Sequence, residues 1–551
     1  MTKKQHTILA SLSIIIMVLL ILLSRRLWVR LDMTSNKAYT LSPASRNLHN
    51  EIEETMRITY YLSNKLLSID PTPSEITDIL REYEARSRGK IKVTVKDPGK
   101  EAQDAERYGL YSQQLQNIEQ GEASFSVVYS GIVIEYLTRY EALPWVFSLD
   151  TLEYDITSRI RSLVNGKQRE LGVIAPEYQK SWGEYYSFFS QTLTQAGFLV
   201  LQLRPGEEIP DTLPALFVLG GAEELDETAL YRIDRYIQLG GRVFFAVESV
   251  EVDIVNTWQG RLKEDKGLLA MISYYGATVG QSLVLDKASL VLPFRDPMNQ
   301  QFRMVRYNPW VGVMEDRGNE THPLTSGFAG VDLFWASPLT LTLPESGTVK
   351  GEALFSSSPE AWLMTNDYAL RPDQSAMFAY GSEETRGEKI LAVALEGKFP
   401  SWFAGVEKPG SKKSPDAESD AASQDDQEDD YYAAEELPDM PATPKDSRII
   451  VVGDSDIAGS LIQYTQSQQS INLNFLLQAA DWLGNDDDIV GIRNRTSGTG
   501  RLDRITDGEK RSALMKFSRI LNVFIVPIAI IIFGIYRLVK RNRRKELDHG
   551  L

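Results

Sequence analysis

A chain of 551 residues with an apolar fraction of 43% is too long for one hydrophobic core and has the composition of a folded protein, which suggests roughly two to four domains. Its net charge is −16, but eleven acids without a base lie between Asp416 and Asp439, so the rest carries only about −5 and offers no basic face for nucleic acid. It contains no cysteine, which excludes disulfides, thiolate metal sites and thiol nucleophiles. We expect no nucleic-acid partner, no metal and no cofactor.

Two uncharged apolar runs, residues 8–23 and 520–536, are each long enough to approach the ~30 Å hydrocarbon layer of a bilayer. A cleaved signal peptide is the alternative for the first run, but SRRLWVR follows it instead of small residues. The basic residues at 537–545 outnumber those just before the second run, and basic flanks stay cytoplasmic. We therefore expect a protein of the cytoplasmic (inner) membrane with two spans in the lipid bilayer, both termini cytoplasmic and the bulk extracytoplasmic.

After the first anchor, residues 1–30, residues 31–165 predict a small membrane-proximal α/β domain. Ser42 followed by Pro43 is typical of a helix start, and we expect that helix to continue to Met56. Strands at 57–62 and 90–96, a helix at 76–86, a strand pair formed by 125–128 and 131–136, and a closing helix at 150–163 complete the pattern. This order is compatible with a thioredoxin-like fold, although redox work would require cysteine.

Residues 166–400 predict the first part of a larger α/β domain. Its strands at 170–175, 199–203, 215–219 and 242–247 alternate with helices at 184–197 and 226–239, which indicates βαβ crossovers and a parallel sheet. A helix at 268–275 follows, and 282–395 reads mainly as β structure in an order that the sequence does not reveal. Residues 401–446 form an acidic insertion that we expect to be disordered. The domain closes with a strand and a helix in 447–490. A linker at 491–516 follows, and then the second anchor with its basic tail at 517–551.

The last strand of this domain ends in a cluster of small and acidic residues. Ligands of open parallel sheets bind beyond the carboxyl ends of the strands. The candidate crevice for a ligand or partner therefore contains Gly220, Gly221, Gly453, Asp454, Ser455 and Asp456. Two carboxylates could hold a cation or act as acid and base, or they could simply cap the helix that follows. The glycine pair could approach a ligand backbone, or could serve only as a tight turn.

The segment directly after the first apolar run, LDMTSNKAYTLSPAS, resembles the GldG-type auxiliary subunits of ABC transporters. The resemblance rests on eight positions: Leu31, Asp32, Thr34, Lys37, Tyr39, Thr40, Leu41 and Ser42. The later segments ITYYLS, LGGRVFFAV and VVGDSDIA with NLNFLLQAADWL also look like that family. The resemblance implies that the second domain is similar in fold to class I glutamine amidotransferases, which are flavodoxin-like, without their cysteine chemistry.

The same resemblance implies a non-catalytic subunit that works with separate ABC permease and ABC ATPase subunits. Residues 31–42 would then be a membrane-proximal docking motif for the permease, or a structural stalk, and the two roles are equally compatible with the sequence. No P-loop motif is present, so the chain does not hydrolyse ATP through one. Our leading hypothesis is an auxiliary subunit that binds a substrate or an envelope component. The alternatives are a membrane-tethered hydrolase or ligand-modifying enzyme using Asp454 and Asp456, and a stand-alone solute-binding or scaffold protein.

Overall fold

The computed structural model describes residues 40–99, 102–119, 122–149, 151–166, 169–254, 256–295, 301–378, 380–409, 437–464, 470–484 and 492. These residues belong to the first of two compact units into which the chain divides, Met1–Gly498. Among them, no helix combines the length and apolarity that a bilayer crossing requires. The two predicted membrane spans, 8–23 and 520–536, lie outside the described residues, as do Leu31 to Tyr39 of the predicted docking motif.

The N-terminal part builds a four-stranded sheet with helices packed against it. Its elements are α1 (Pro43–Asn47), β1 (Met56–Leu62), α2 (Asn64–Ile69), α3 (Thr72–Arg86), β2 (Ile91–Lys96), α4 (Ala102–Arg107), β3 (Gln113–Glu119), β4 (Glu122–Val128), β5 (Ser130–Tyr136), β6 (Arg139–Leu143) and α5 (Leu152–Asn165). The strand order is β2-β1-β5-β6, with β1 and β2 parallel and the other pairs antiparallel. Apolar residues of α3 and α5, such as Leu80 and Ile156, form one core with β1 and β5.

Two predictions for this part are wrong in detail. The helix that begins after Ser42 ends at Asn47, a single 3₁₀ turn follows, and Met56 opens β1 with its side chain fully buried in the sheet core. The predicted strand pair is also wrong, because β4 pairs with β3 while β5 pairs with β1 and β6. β3 reads QQLQNIE, a polar stretch that gave no apolar signal for a strand. The predicted strands β1 and β2 and the helices α3 and α5 are confirmed.

The larger part of the chain builds a nine-stranded mixed sheet. Its elements and their neighbours are β7 (Arg169–Ile174), α6 (Ser187–Gln195), β8 (Phe198–Gln202), β9 (Leu216–Leu219), α7 (Glu227–Gln238), β10 (Val243–Ala246), β11 (Val250–Asp253), β12 (Gln259–Leu262), α8 (Leu268–Tyr275), β13 (Ala277–Val279), β14 (Leu283–Leu285), β15 (Ser289–Arg295), β16 (Phe302–Val313), β17 (Val331–Phe334), β18 (Leu339–Leu341), β19 (Val349–Ser356), β20 (Trp362–Met364), β21 (Ile390–Gly397), β22 (Ser447–Val452) and α9 (Ser470–Leu483). The predicted α/β alternation from β7 to β10 is confirmed, and so is the β-rich character of 282–395.

The order of strands in this sheet is β13-β18-β21-β22-β10-β9-β7-β8, with β19 added on β21. Strands β8, β7, β9, β10 and β22 run parallel, as expected from the crossovers, whereas β21 joins β22 antiparallel. Both faces are covered by apolar clusters, and successive residues such as Phe244 and Phe245 belong to the clusters on opposite faces. That double burial explains the continuous apolar runs of the central strands.

The ends of the acidic insertion are ordered parts of this fold. Phe403 and Leu437 are buried in the cluster on the α7 face, and the Tyr231 hydroxyl of α7 donates to the carbonyl of Pro438 at 2.9 Å. The structure thus differs from the sequence-based expectation at 401–409 and 437–446, because these flanks supply apolar side chains to the core. The highly acidic middle, 410–436, lies outside the described residues.

Candidate functional site

The carboxyl ends of β7, β10 and β22 meet at one edge of the nine-stranded sheet. Parallel pairing in register places the ends of β10 and β22 side by side, with Ala246 opposite Val452. Gly220 and Gly221 follow β9 at the same edge, and Gly453 to Asp456 follow β22. The structure therefore brings together all six residues of the predicted crevice, as the parallel topology requires.

Gly453 has a packing role. Its carbonyl accepts a hydrogen bond from the amide of Ser337 at 2.7 Å, and its own amide donates to Leu391 at 2.9 Å. A Cβ at this position would overlap the carbonyl oxygen of Ser337. Glycine is needed here because the backbones on either side of the strand end approach too closely for a side chain.

Asp454 is a buried capping residue. Its Oδ1 accepts from the amide of Asp456 at 2.8 Å, which caps the 3₁₀ turn Ser455–Ala458, and its Oδ2 accepts from the amide of Phe334 in β17 at 2.7 Å. The carboxylate is fully buried, and both oxygens are engaged by backbone donors. Of the two interpretations drawn from the sequence, capping is the one that the contacts of Asp454 display.

The glycine pair after β9 forms a tight turn against neighbouring side chains. Gly220 and Gly221 have φ values of 76° and 102°, in the left-handed region that glycine adopts without strain. A Cβ on Gly220 would overlap the carboxylate of Glu177, and one on Gly221 would crowd Pro176 and Leu225. Both glycines are buried, so the space in front of them is filled by the protein itself.

Lys180 lies at the centre of the crevice. Its ammonium is 2.7 Å from Asp456 Oδ1 and 3.1 Å from Glu177 Oε2, and it donates to Ser455 Oγ at 2.8 Å. The hydroxyl of Tyr185 donates to the same Asp456 oxygen at 2.8 Å. One cation from the loop after β7 thus ties that loop to the turn after β22.

A second lysine completes the network from the other side. Lys263, directly after β12, bonds Glu177 Oε1 at 2.8 Å and Glu248 Oε1 at 2.5 Å. Glu248 follows β10, and its other oxygen accepts from the amide of Ser455 at 2.6 Å. Three carboxylates and two lysines, from four separate segments, therefore form one continuous group that is partly buried. We call it the crevice network: Glu177, Lys180, Glu248, Lys263 and Asp456.

Charge compensation shows in the pKa shifts of this network. Burial favours the neutral acid of Glu248, yet Lys263 and Lys180 hold the pKa of that carboxyl at about 2. Burial would lower the pKa of Lys180, but Asp456, Glu248 and Glu177 raise it well above its usual value. Burial raises the pKa of Asp456 despite its contact with Lys180, and burial with repulsion from Asp456 raises that of Asp454. Lys180 and Glu248 are thus held as an ammonium and a carboxylate.

These charge states decide what the site can do chemically. A Ser–Lys pair catalyses acyl transfer when the neutral amine accepts the serine proton. Lys180 is held as the cation and donates to Ser455 Oγ, so it is not placed to act as that base. Ser455 is fully buried, and among the described residues no group of three or more His, Asp or Glu has a metal-binding arrangement. The network is arranged to stabilise the sheet edge.

The described end of the predicted docking motif is also buried. Leu41 and Ser42 are each about 3% exposed, and Thr40 is half-buried. Ser42 caps α1 through its hydroxyl, as expected from the Ser-Pro pair, and its amide donates to Glu153 Oε1 at 2.5 Å. This part of the motif therefore joins α1 to α5 inside the fold.

Sequence reasoning missed four members of the crevice network: Glu177, Lys180, Glu248 and Lys263. A usable signal existed for Glu248, because it directly follows the apolar strand RVFFAV at the edge where parallel strands end. Glu177 and Lys180 lie in the loop after β7 and carried a weaker version of the same signal. Lys263 follows β12, an antiparallel hairpin strand, and nothing in the sequence places it beside Glu248.

Comparison with known proteins bears on this fold and this edge. A family model described as an ABC-type uncharacterized transport system matches residues 168–479, which is more than half of the chain and includes the whole crevice network. The chain belongs to this family. A second model, described as a domain of unknown function, matches residues 35–135, within the part that builds the four-stranded sheet.

Two further similarities are informative to different degrees. An uncharacterized protein of Borreliella burgdorferi is 26% identical over 523 residues, covering 93% of this chain and 94% of the relative. The N-terminal domain of mmIFT52 aligns with a TM-score of 0.31 at 9% identity, over 57% of this chain and 97% of that domain. The first similarity extends through both sheets, whereas the second is too low to support a conclusion.

Proposed function

We propose that this chain is a non-catalytic, membrane-anchored auxiliary subunit of an ABC-type transport system. Its extracytoplasmic part binds a substrate or an envelope component, and it works with a permease and an ATPase encoded as separate subunits. The observation that carries the proposal is the family match over residues 168–479. The GldG-type motif at 31–42 and the two apolar runs support the finer assignment of anchors and partners.

The state of the crevice supports a role without catalysis. An enzyme built on this edge would need an accessible nucleophile, acid or base. Asp454 instead accepts two backbone hydrogen bonds, Lys180 donates to Ser455, and the five charged side chains of the crevice network engage one another. The tethered hydrolase considered from the sequence finds no support in these contacts.

The described ends of the folded part support two tethers on one side. Ala44 follows the N-terminal apolar run in the chain, and Ile492 precedes the C-terminal one. Ile492 forms a small apolar cluster with Tyr154 of α5, and Ala44 packs against that cluster. The proximity of the two described ends supports the proposed topology.

An open groove beside the crevice is where a substrate or envelope partner could bind. It has a volume of about 670 Å³ and is lined by Gln179, Val252, Asn256 and Arg261, among others. Tyr178, next in the chain to Gln179, is 99% exposed. Tyrosine is one of the residue types enriched among the residues that dominate binding at interfaces.

The test of the proposal is purification of the tagged full-length chain in mild detergent, with quantitative mass spectrometry of what accompanies it. We expect a polytopic permease and an ABC ATPase in fixed ratio to the chain. Purification without either protein would contradict the proposal and would favour the stand-alone binding or scaffold alternative.

A matched pair of variants separates docking from a structural stalk. Tyr39→Ala lies in the predicted docking motif, and Tyr111→Ala removes a tyrosine that is 53% exposed elsewhere on the N-terminal part. If the motif docks on the permease, the first variant loses the permease and the second retains it. If both retain it, residues 31–42 act as a stalk.

A further inference from the structure

Helix α5 is the point where the two described ends of the fold meet. Tyr154 of α5, Ala44 of α1 and the fully buried Ile492 form a small apolar cluster of their own, separate from the cores of the two sheets. The cluster therefore joins α5 to residues near both described ends of the chain. We call these three residues the junction.

The junction is fixed firmly to the start of the fold. Glu153, next to Tyr154, accepts hydrogen bonds from the Ser42 amide at 2.5 Å and the Ser45 hydroxyl at 2.7 Å. Thr157, one turn further along α5, bonds Ser45 at 2.8 Å. All of these groups are buried, so α1 and the first turns of α5 form one rigid piece.

Polar bonds between described residues join α5 to the part of the chain that builds the larger sheet. The Tyr154 hydroxyl donates to Asp481 Oδ1 of α9 at 3.1 Å and accepts from Arg169 Nη1 at 3.0 Å, while Arg169 also pairs with Asp481. Arg159 donates to the carbonyl of Gln195, at the end of α6, at 2.6 Å. Because hydrogen bonds weaken steeply when their geometry changes, a small displacement of α5 against α9 would weaken this contact.

Helix α9 reaches from this contact to the crevice. Asn472, near its other end, donates through Nδ2 to the carbonyls of Ile457 at 3.0 Å and Asp332 at 2.8 Å, and its Oδ1 accepts from the amide of Asp332. Ile457 belongs to the same 3₁₀ turn as Ser455 and Asp456. Asp481 lies nine positions after Asn472 in α9, which corresponds to a rise of about 14 Å along the helix axis.

We propose that the Tyr154–Asp481 contact is a relay, through which movement of the chain ends at the junction changes the packing of the turn 455–458 at the crevice. The relay goes beyond the proposed role in transport, since it is a property of the chain alone. Coupling of this kind requires an element with two states that both sites bias, and the proposal assigns that part to the polar contact with α9.

The experiment compares hydrogen exchange in the purified full-length chain and two tyrosine variants. Tyr154→Phe removes the hydroxyl that faces α9. Tyr83→Phe removes a buried hydroxyl that bonds the other face of α5, at Glu153 and Thr157, and does not reach α9. We expect exchange of the peptide covering 453–462 to rise about fivefold in Tyr154→Phe, the value of one net hydrogen bond, and to stay at the wild-type rate in Tyr83→Phe. Equal effects of the two variants, or no effect of Tyr154→Phe, would overturn the relay.

A cross-link provides the second measurement, because the chain has no cysteine of its own. In the double variant Ala44→Cys/Ile492→Cys, a disulfide closed by oxidation would join two members of the junction. We expect the cross-linked protein, identified by its mass, to exchange the 453–462 peptide more slowly than the same protein after reduction. Identical exchange in both redox states would contradict the relay, and this result does not depend on Tyr154→Phe being folded.

Discussion

Lys180 and Asp456 form a 2.7 Å ion pair between the loop after β7 and the turn after β22, and neither side chain is more than about one fifth exposed. The pair closes the edge of the sheet where ligands of related topologies bind. Because both partners come from loops, it also fixes the relative position of two segments that are distant in sequence. The energetics of the crevice network therefore depend on keeping the two charges together.

Removal of the cation alone should destabilise the fold strongly. We expect Lys180→Met to lower the free energy of unfolding by about 3–5 kcal/mol, because Asp456 would remain largely buried without a counter-ion and Glu177 would keep only Lys263. Urea unfolding followed by circular dichroism measures this change. Lys350→Met, on an exposed position of β19, is the control and should stay within about 0.5 kcal/mol of the wild type. Similar changes in the two variants would show that Lys180 does not compensate buried charge.

The lowered pKa of Glu248 predicts that the folded protein loses stability in acid. Its folded pKa of about 2 lies below its ordinary value of 4.5, so the folded state binds fewer protons than the unfolded state. The stability that it contributes is complete above about pH 4.5 and is lost as the pH falls toward about 2. At neutral pH this contribution is on the order of 3 kcal/mol.

The measurement is a comparison of wild type with Glu248→Gln between pH 7 and pH 2. Asp454 and Asp456, whose raised pKa values act in the opposite sense, are present in both proteins, and Glu248→Gln reduces those shifts because Glu248 contributes to both. We expect the difference in unfolding free energy to shrink as the pH falls through the window from about 4.5 to about 2. A difference that is constant with pH would mean that Glu248 is not held as a carboxylate by Lys263 and Lys180.

The close packing around Gly453 predicts that one added methyl group destabilises the fold. In Gly453→Ala the new Cβ would overlap the Ser337 carbonyl, and backbone atoms can move aside only by separating β22 from its neighbours. We expect a loss of about 1–3 kcal/mol, the usual cost of overpacking. Gly183→Ala is the matched control, because a Cβ there meets nothing within 4 Å. Equal stability of the two variants would contradict the packing that we describe.

The sequence indicated the central strands and the crevice because their signals are local. The apolar runs that became β9, β10 and β22 require burial on both faces, and Ser42 before Pro43 is a complete helix start within two residues. The pairing of β21 with β18 and β22 could not be predicted, since the strand order in 282–395 depends on contacts between residues that are far apart in the sequence. Lys263 was missed for the same reason, because an ion pair between two loops leaves no periodic pattern.

Labelling of single cysteines tests the proposed topology. Tyr178→Cys replaces a fully exposed side chain, and His549→Cys lies in the basic tail. The natural chain has no cysteine, so any label reports only the introduced site. With a maleimide that does not cross membranes, we expect cells with a permeabilised outer envelope to label at 178 and to label at 549 only after lysis. Labelling of 549 before lysis would contradict a cytoplasmic C-terminus.

Asp454 and Asp265 both cap turns with a carboxylate, and their different burial predicts different responses to replacement by an amide. In Asp454→Asn one of the two oxygens becomes an NH₂ group, which must face the backbone N–H of Phe334 or Asp456 in a fully buried site. Leaving a buried donor unsatisfied costs about 1–3 kcal/mol. Asp265 also accepts two backbone hydrogen bonds, from Leu269 and Ala270 at the start of α8, but it is exposed, so water can replace the lost acceptor in Asp265→Asn. We therefore expect Asp454→Asn to lower the urea midpoint clearly and Asp265→Asn to change it little. If Asp454→Asn kept its stability but lost function in cells, the carboxylate would be acting on a ligand, and the hydrolase alternative would regain ground.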